Sequence, residues 1–444
     1  MIKTRILLEC SNTWEGDVNT GIQRVVRNIV KEASGVEKEF SVESIPVMIK
    51  FNRLLRAGEK AGGSSSKVGC LNSLKKIYYK IRPFLKRFPL LEKIEYFLVL
   101  YARRVVSFIF SIILFPLTLK SYFQSRIIPG KGDVLLLLDS SWVCPVWSAV
   151  KKAKSSGAVV GVVVYDIIPL IHPEFFPPAI VKRFSIWFKE AIKHVDFFIC
   201  ISQTVQNEVQ AYLKQNYPEY PAQGRVSFFH LGCELDNIAE KGMDPRFLGD
   251  DMSNGKGNDI FLKKSISNAY ISVGTIEARK NHQYLLDAFD LIWQRYPDAV
   301  LCIIGKVGWL SEQVMERINK HPLFKKNIFV FHNVSDTELD YYYKHSKALI
   351  WPSLAEGFGL PIIEALHQGL PVLASDIPIH REVGKEFCAY FDVNDPACLA
   401  KIIIDIEKTG KMPKVRSSKE YKLITWQDSC RELFNQAQVL NRKV

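Results

Sequence analysis

Two carboxylates and two cations, each set beside a predicted strand-to-helix turn, are the residues of this sequence best placed to do chemistry. Glu356 and Glu364 bracket the stretch Glu356-Gly357-Phe358-Gly359-Leu360-Pro361-Ile362-Ile363-Glu364. The first lies in the loop and the second one turn inside the predicted helix, so the pair can grip two hydroxyl-bearing parts of one extended ligand. Gly357 and Gly359 let the backbone approach a ligand, and Pro361 fits the first helical position. The N–H groups of Phe358, Gly359 and Leu360 lie at a positive helix end that suits phosphate or sugar oxygens. Upstream, Arg279 and Lys280 follow Gly274 and Thr275 and stand just before a helix. Arginine forks onto two phosphate oxygens and lysine supplies a compact charge, so the two can neutralise a pyrophosphate leaving group. Taken alone, either segment also reads as an ordinary turn with solvated charges; together they specify much more.

These residues need a scaffold of strands with a common open edge. From residue 133 onward the sequence supplies one, as apolar runs alternate with helical patterns. The runs at 134–138, 158–165 and 197–201 are continuously apolar, which marks strands of a parallel sheet buried on both faces. Ligands of such sheets gather at the carboxyl ends of the strands, which places Asp139, Asp166 and Ser202 on the working edge. Ser202 also suits the cap of a helix over 205–213. Strands are predicted at 269–274, 299–304, 327–331, 347–351 and 371–374, with helices between them, which makes a second doubly wound unit. The predicted organisation is therefore α/β: residues 1–235, a polar linker at 236–264, a second domain at 265–425, and a last helix at 426–444.

Charge sets one segment apart. The chain of 444 residues carries +13, yet residues 50–131 alone hold 17 basic and three acidic residues, an excess of 14. Within this insertion lies an uncharged apolar run at 105–119, shorter than the roughly 20 residues that span a bilayer. An interfacial segment held on anionic headgroups fits this mixture, and an inserted helical hairpin packed on the first domain is the alternative. The basic residues alternate with aliphatic runs and form no nucleic-acid motif, so no nucleic-acid partner is expected. Nine scattered cysteines without paired ligand spacing argue for reduced thiols and against zinc. No secretory leader is expected at the N-terminus, and the expected location is cytoplasmic, peripheral on the inner membrane face.

The nine-residue motif around Glu356 and Glu364, with Gly369, Pro371 and Val372 behind it, resembles the donor-site signature of retaining GT-B glycosyltransferases of family 4, and the Gly-Thr-x-Glu-x-Arg-Lys-Asn segment is similar to the subgroup that builds O-antigen and other surface polysaccharides. The resemblance implies two Rossmann-like domains facing across a cleft, with the last helix crossing back to the first domain. It implies that Glu356 holds the donor sugar, Glu364 the nucleotide ribose, Gly274, Thr275, Arg279 and Lys280 the diphosphate, and Asn333 and Val334 the base. Gly21 would face the cleft, and Asp166 would contact the acceptor hydroxyl or donor sugar. His172 reads equally well as a partner of that site or as a satisfied loop histidine. Two departures stand out: Thr275 occupies a position where many members carry arginine, and Tyr165 one where many carry histidine. The implied reaction is transfer of a sugar, mannose from GDP-mannose by preference, to a hydroxyl of a lipid-linked glycan, without cofactor or metal. A sugar-nucleotide epimerase on the same fold and a non-catalytic basic membrane-binding protein are the competing readings.

Overall fold

A computed structural model of the protein describes residues 4–15, 21–58, 126–233 and 266–444. The first unit runs β1 (Thr4–Glu9), α1 (Ser11–Glu15), α2 (Gly21–Phe40), β2 (Val42–Lys50), β3 (Arg53–Arg56), β4 (Arg126–Ile127), β5 (Val134–Leu137), α3 (Trp147–Ser155), β6 (Val159–Val164), α4 (Ile168–Ile171), α5 (Pro178–His194), β7 (Phe197–Cys200), α6 (Gln203–Asn216) and β8 (Val226–Phe228). Its strands stand in the order β4-β3-β2-β1-β5-β6-β7-β8. All neighbours from β2 to β8 are parallel, while β3 and β4 add an antiparallel edge. That edge was not expected, because four residues and two residues are too short to display a period. Pairing with β2, which buries Leu54 and Leu55, makes the first of them a strand.

The second unit continues with β9 (Ala269–Val273), α7 (His282–Trp293), β10 (Val300–Ile304), α8 (Glu312–Lys320), β11 (Ile328–Phe331), α9 (Asp336–His345), β12 (Ala348–Trp351), α10 (Leu360–His367), β13 (Val372–Ser375), α11 (Pro378–Gly384), β14 (Ala389–Phe391), α12 (Pro396–Thr409) and α13 (Trp426–Asn441). Its strand order is β11-β10-β9-β12-β13-β14, parallel throughout. Sheet strands buried on both faces account for the unbroken apolar runs in the sequence: every residue of β5, β7, β9, β10, β12 and β13 is buried. Helix α10 begins at Leu360, with Pro361 at its second position and not its first.

The last helix, α13, lies along α2. A capping box at Thr425 and Asp428 starts it, and Leu433, Phe434, Ala437 and Leu440 form its buried face. Phe434 meets Phe40 edge-on at 6.1 Å, and Gln438 Nε2 donates to the Phe40 carbonyl at 2.8 Å. One buried apolar cluster thus runs from the first sheet through α13 into the second. Each sheet reverses its winding direction once, between β1 and β5 in the first and between β9 and β12 in the second. The carboxyl ends of strands at such points open the crevice in which ligands of doubly wound sheets bind. The linker at 236–264 and most of the insertion, including the apolar run at 105–119, lie outside the described residues. Among the described residues no helix is long and apolar enough to cross a membrane.

Candidate active site

The second reversal point gathers the charged residues. After β9 the chain turns through Gly274 and Thr275 into a short 3-10 turn, Ala278–Lys280, which lays Arg279 and Lys280 against the loop that follows β12. Arg279 Nη1 contacts Glu356 Oε2 at 2.5 Å and the Ala355 carbonyl at 3.0 Å, and its Nε contacts Glu277 Oε1 at 2.7 Å. Lys280 pairs with the other oxygen of Glu356 and lies 4.1 Å above the Trp351 ring. The Arg279 carbonyl in turn accepts from Leu354 N–H at 2.8 Å, which ties the two loops together.

Burial works against the Glu356 carboxylate, but Arg279 and Lys280 outweigh it and bring its pKa down to about 2. Burial also pulls Lys280 down to about 8, which leaves it charged at neutral pH. Burial disfavours the Arg279 cation too, yet Glu356, Glu277 and Asp166 hold its pKa above the ordinary arginine value. All three groups are therefore ionised in a largely dry site, where charge acts on a ligand with little solvent screening.

Across the interface the first unit closes onto this loop. A Cβ on Gly357 would lie 2.1 Å from the Tyr165 carbonyl and 3.3 Å from Asp166 Cβ, so only glycine permits the approach. Ser202 Oγ donates to the Gly357 carbonyl at 3.0 Å and accepts from Val205 N–H at 3.1 Å. Glu382 of α11 accepts from the N–H groups of Gln203 and Thr204 at 2.8 and 2.7 Å, and sits 3.0 Å from His230 Nε2. Asp166 faces Arg279; burial raises its pKa and Arg279 offsets part of that rise.

Glu364 is the second crossing. It is buried in α10, accepts from Tyr343 OH at 2.9 Å, and forms an ion pair with Arg24, which stands one turn into α2. Gly21 opens that same helix, with open space where a side chain would be.

Several expected residues thus converge: Gly274, Arg279, Lys280, Glu356, Gly357 and Asp166 meet at one place, and Glu364 makes a second contact, to Arg24 of the helix that Gly21 opens. Phe358 is buried, Gly359 is the left-handed cap of α10 at φ 99°, and Leu360 is its first residue. Thr275 and Asn333 are exposed, and Val334 packs partly on the core beside the capping box of Ser335 and Glu338. The Ser202 hydroxyl caps α6, as the sequence suggested, and holds the Gly357 carbonyl across the interface. His172 pairs with Glu174 at 3.1 Å and stacks on Phe175 at 5.5 Å, both in its own loop, which favours the satisfied-histidine reading. Tyr165 donates to the Leu138 carbonyl at 2.8 Å and serves as a packing residue.

Arg24, Tyr343 and Trp351 were not expected from the sequence. Arg24 sits three residues after Gly21, a spacing that carries no signal without its partner 340 positions away. Among the described residues no group of three histidine, cysteine, aspartate or glutamate side chains is arranged to hold a metal ion.

Residues 258–423 match the family described as Glycosyl transferases group 1. The serotype-specific mannosyltransferase WbdA of Escherichia coli is 32% identical over 317 residues, covering 70% of this chain and 38% of WbdA. The chain therefore spans about two-fifths of that relative's length. The O-antigen chain mannosyltransferase RfbU of Salmonella typhimurium is 25% identical, over 56% of this chain and 60% of RfbU. Among solved structures, HepE of Anabaena in complex with UDP and glucose superposes with a TM-score of 0.51 at 14% identity, covering 99% of this chain and 98% of HepE. That likeness is one of fold, the two-domain GT-B arrangement.

Proposed function

Because this chain belongs to the group 1 glycosyl transferases, we propose that it transfers mannose from GDP-mannose to a hydroxyl of a lipid-linked glycan in surface polysaccharide assembly. The observation that carries the reading is the buried cluster of Arg279, Lys280 and Glu356, closed by Asp166 from the opposite sheet. Without ligand the two cations are neutralised by Glu356. A diphosphate entering beside Gly274 takes over Arg279 and Lys280, and Glu356 is released to accept hydrogen bonds from sugar hydroxyls. In that arrangement Glu364 takes the ribose with Arg24 beside it, and Asn333 and Val334 line the base.

In the reaction the bond between the anomeric carbon and the leaving phosphate oxygen breaks, and a new bond forms to the acceptor oxygen. The leaving phosphate takes the acceptor proton on the same face, which retains configuration. The positive charges of Arg279 and Lys280, fixed before the reaction, stabilise the charge that develops on the diphosphate. Asp166 orients the acceptor hydroxyl, and the packed interface around Gly357 excludes water that would otherwise hydrolyse the donor. The relatives' names support mannose, and the basic insertion at 50–131 supports attachment to an anionic membrane face.

Thermal stabilisation by GDP, UDP and their sugar conjugates tests the donor, with product analysis after adding a saccharide acceptor. GDP and GDP-mannose are expected to stabilise the wild type and to lose that effect in Lys280→Ala and Glu364→Ala. Stabilisation by uridine nucleotides alone would overturn the donor assignment. An epimerised nucleotide sugar formed without acceptor would overturn the transfer.

A further inference from the structure

The outer face of the first unit carries a charge pattern that the transfer chemistry does not use. Helix α5 (Pro178–His194) buries Phe184, Trp187, Phe188 and Ala191 in the core of that unit and turns Lys182, Arg183, Ile186, Lys189 and Lys193 outward. Positions 182, 186, 189 and 193 recur at helical spacing, so they form one stripe. Helix α3 lies beside it: Trp147 meets His194 at 6.0 Å, and Lys151 stands near enough to disfavour the charge on His194. Lys151 and Lys152 are exposed. Together α3 and α5 hold seven basic residues and one acid. A solvated helix surface ordinarily intersperses both signs. Here the one acid, Glu190, is already shared between Lys193 at 2.9 Å and His194 at 3.4 Å. Among the described residues Lys182, Arg183 and Lys189 make no ion pair.

Apolar side chains stand among these cations. Ile186 is 55% exposed in the middle of the stripe. The loop after β5 packs on the same helix, with Trp187 Nε1 donating to Ser141 Oγ at 3.1 Å and Trp142 at 6.0 Å from Phe184, and it leaves Val143 exposed. On the other side of α3, Lys152 Nζ donates to the Asn52 carbonyl at 3.4 Å, which ties the tip of the β2–β3 hairpin to this face. That tip is Phe51 and Asn52, both left-handed, at φ 51° and 60°. Two-residue hairpin turns with positive φ favour asparagine, aspartate or glycine at the first place. A phenylalanine holds it here, 83% exposed, in a backbone conformation unfavourable for a bulky residue.

Charge complementarity calls for an anionic surface, and the exposed apolar side chains call for one that they can enter. A bilayer with anionic headgroups offers both, whereas nucleic acid would meet the cations and leave Phe51, Val143 and Ile186 in polar surroundings. The course of the chain agrees. The basic and apolar insertion leaves after β3 and returns at β4, the strand paired with it, so it starts and finishes at the sheet edge that carries Phe51. We propose that the outward faces of α3 and α5, together with the Phe51 tip, dock this protein on an anionic lipid bilayer. The proposal rests on the reading of membrane attachment given above and adds a folded face to it. Docked in this way, the loop after β5, at the ligand edge of the first sheet, lies against the headgroups, where a lipid-linked acceptor is presented.

The full-length protein is sedimented with vesicles of phosphatidylcholine alone and of phosphatidylcholine mixed with phosphatidylglycerol. The wild type is expected to partition onto the mixed vesicles and not onto the neutral ones. Each basic residue near such a surface is worth about fivefold in partitioning, so the triple variant Lys182→Ala, Arg183→Ala, Lys189→Ala is expected to fall about a hundredfold. The double variant Phe51→Ser, Ile186→Ser should lose the part of the binding that survives high salt, which screens the cations and spares the apolar contact. Every substituted side chain is exposed, so thermal unfolding should match the wild type and show that the fold is intact. A triple variant that binds like the wild type places the binding in the insertion and overturns this face alone. A wild type that binds neither vesicle overturns membrane attachment itself. Binding to a DNA duplex and to no vesicle, lost in the triple variant, would make the face a nucleic-acid site and overturn the proposal.

Discussion

Glu356 and Glu9 both lie at the carboxyl edge of a sheet beside its reversal of winding, and their surroundings give them opposite character. Each follows or ends a strand beside a reversal of winding, and each is buried, 7% and 1% exposed. Glu356 is met by Arg279 and Lys280 and is held near pKa 2. Among the described residues Glu9 is met by no cation: burial raises it to about 7, Asp139 adds to the rise, and the Ser11 N–H donated at 2.8 Å offsets part of it. The fold therefore delivers a carboxyl to the ligand edge of each sheet. What arrives opposite decides whether it is a fixed anion or a group that titrates near neutrality. In the second unit the result is a preorganised charged site, and in the first it is a loop support, since Asp139 accepts from the N–H groups of Thr13 and Ser140.

Removing a cation breaks the contrast most severely. Lys280→Ala is expected to lower kcat by about 10²–10³-fold, the scale of losing one preorganised stabiliser of developing charge. Initial rates with nucleotide sugar and saccharide acceptor measure it, and a loss under fivefold would remove Lys280 from the mechanism.

At the cross-domain contact, Arg24→Met leaves the buried Glu364 without its cation. Loss of one partner of a buried, hydrogen-bonded charge pair costs roughly 2–5 kcal/mol. The cost should appear in urea unfolding, together with weaker closure of the two units in solution scattering. Unchanged unfolding would mean that Tyr343 alone satisfies Glu364.

Titration sharpens the comparison on its other side. Because the folded pKa of Glu9 lies above its unfolded value of about 4.5, the protonated form is favoured in the fold. Its contribution is fully present below pH 4.5 and is lost as pH rises to 7, a loss of about 3 kcal/mol. Glu356 has the reverse sign: its contribution is present above pH 4.5 and is lost as pH falls towards 2. Glu9→Gln should therefore stabilise the protein at pH 7–8 and flatten the stability profile between pH 4.5 and 7. A variant with the wild-type slope would place the titrating group elsewhere.

The sequence by itself determined the two doubly wound sheets, because continuous apolar runs separated by helical patterns admit few other packings. It also determined the main charged residues of the site. Glu356, Arg279 and Lys280 stand in local segments whose turns are specified by their own glycines, and a short segment carries its own geometry. The antiparallel edge strand Arg53–Arg56 escaped detection because pairing, and not pattern, makes it a strand. Arg24 opposite Glu364, Ser202 on the Gly357 carbonyl and Lys280 over the Trp351 ring were decided only by the tertiary structure. Each joins residues from different elements, the first two across the domain interface. A tryptophan in an apolar strand reads as core until a lysine is seen to cover its ring face. Local sequence fixes what a turn can offer, whereas the partner that meets it depends on how two separately folded sheets close against each other.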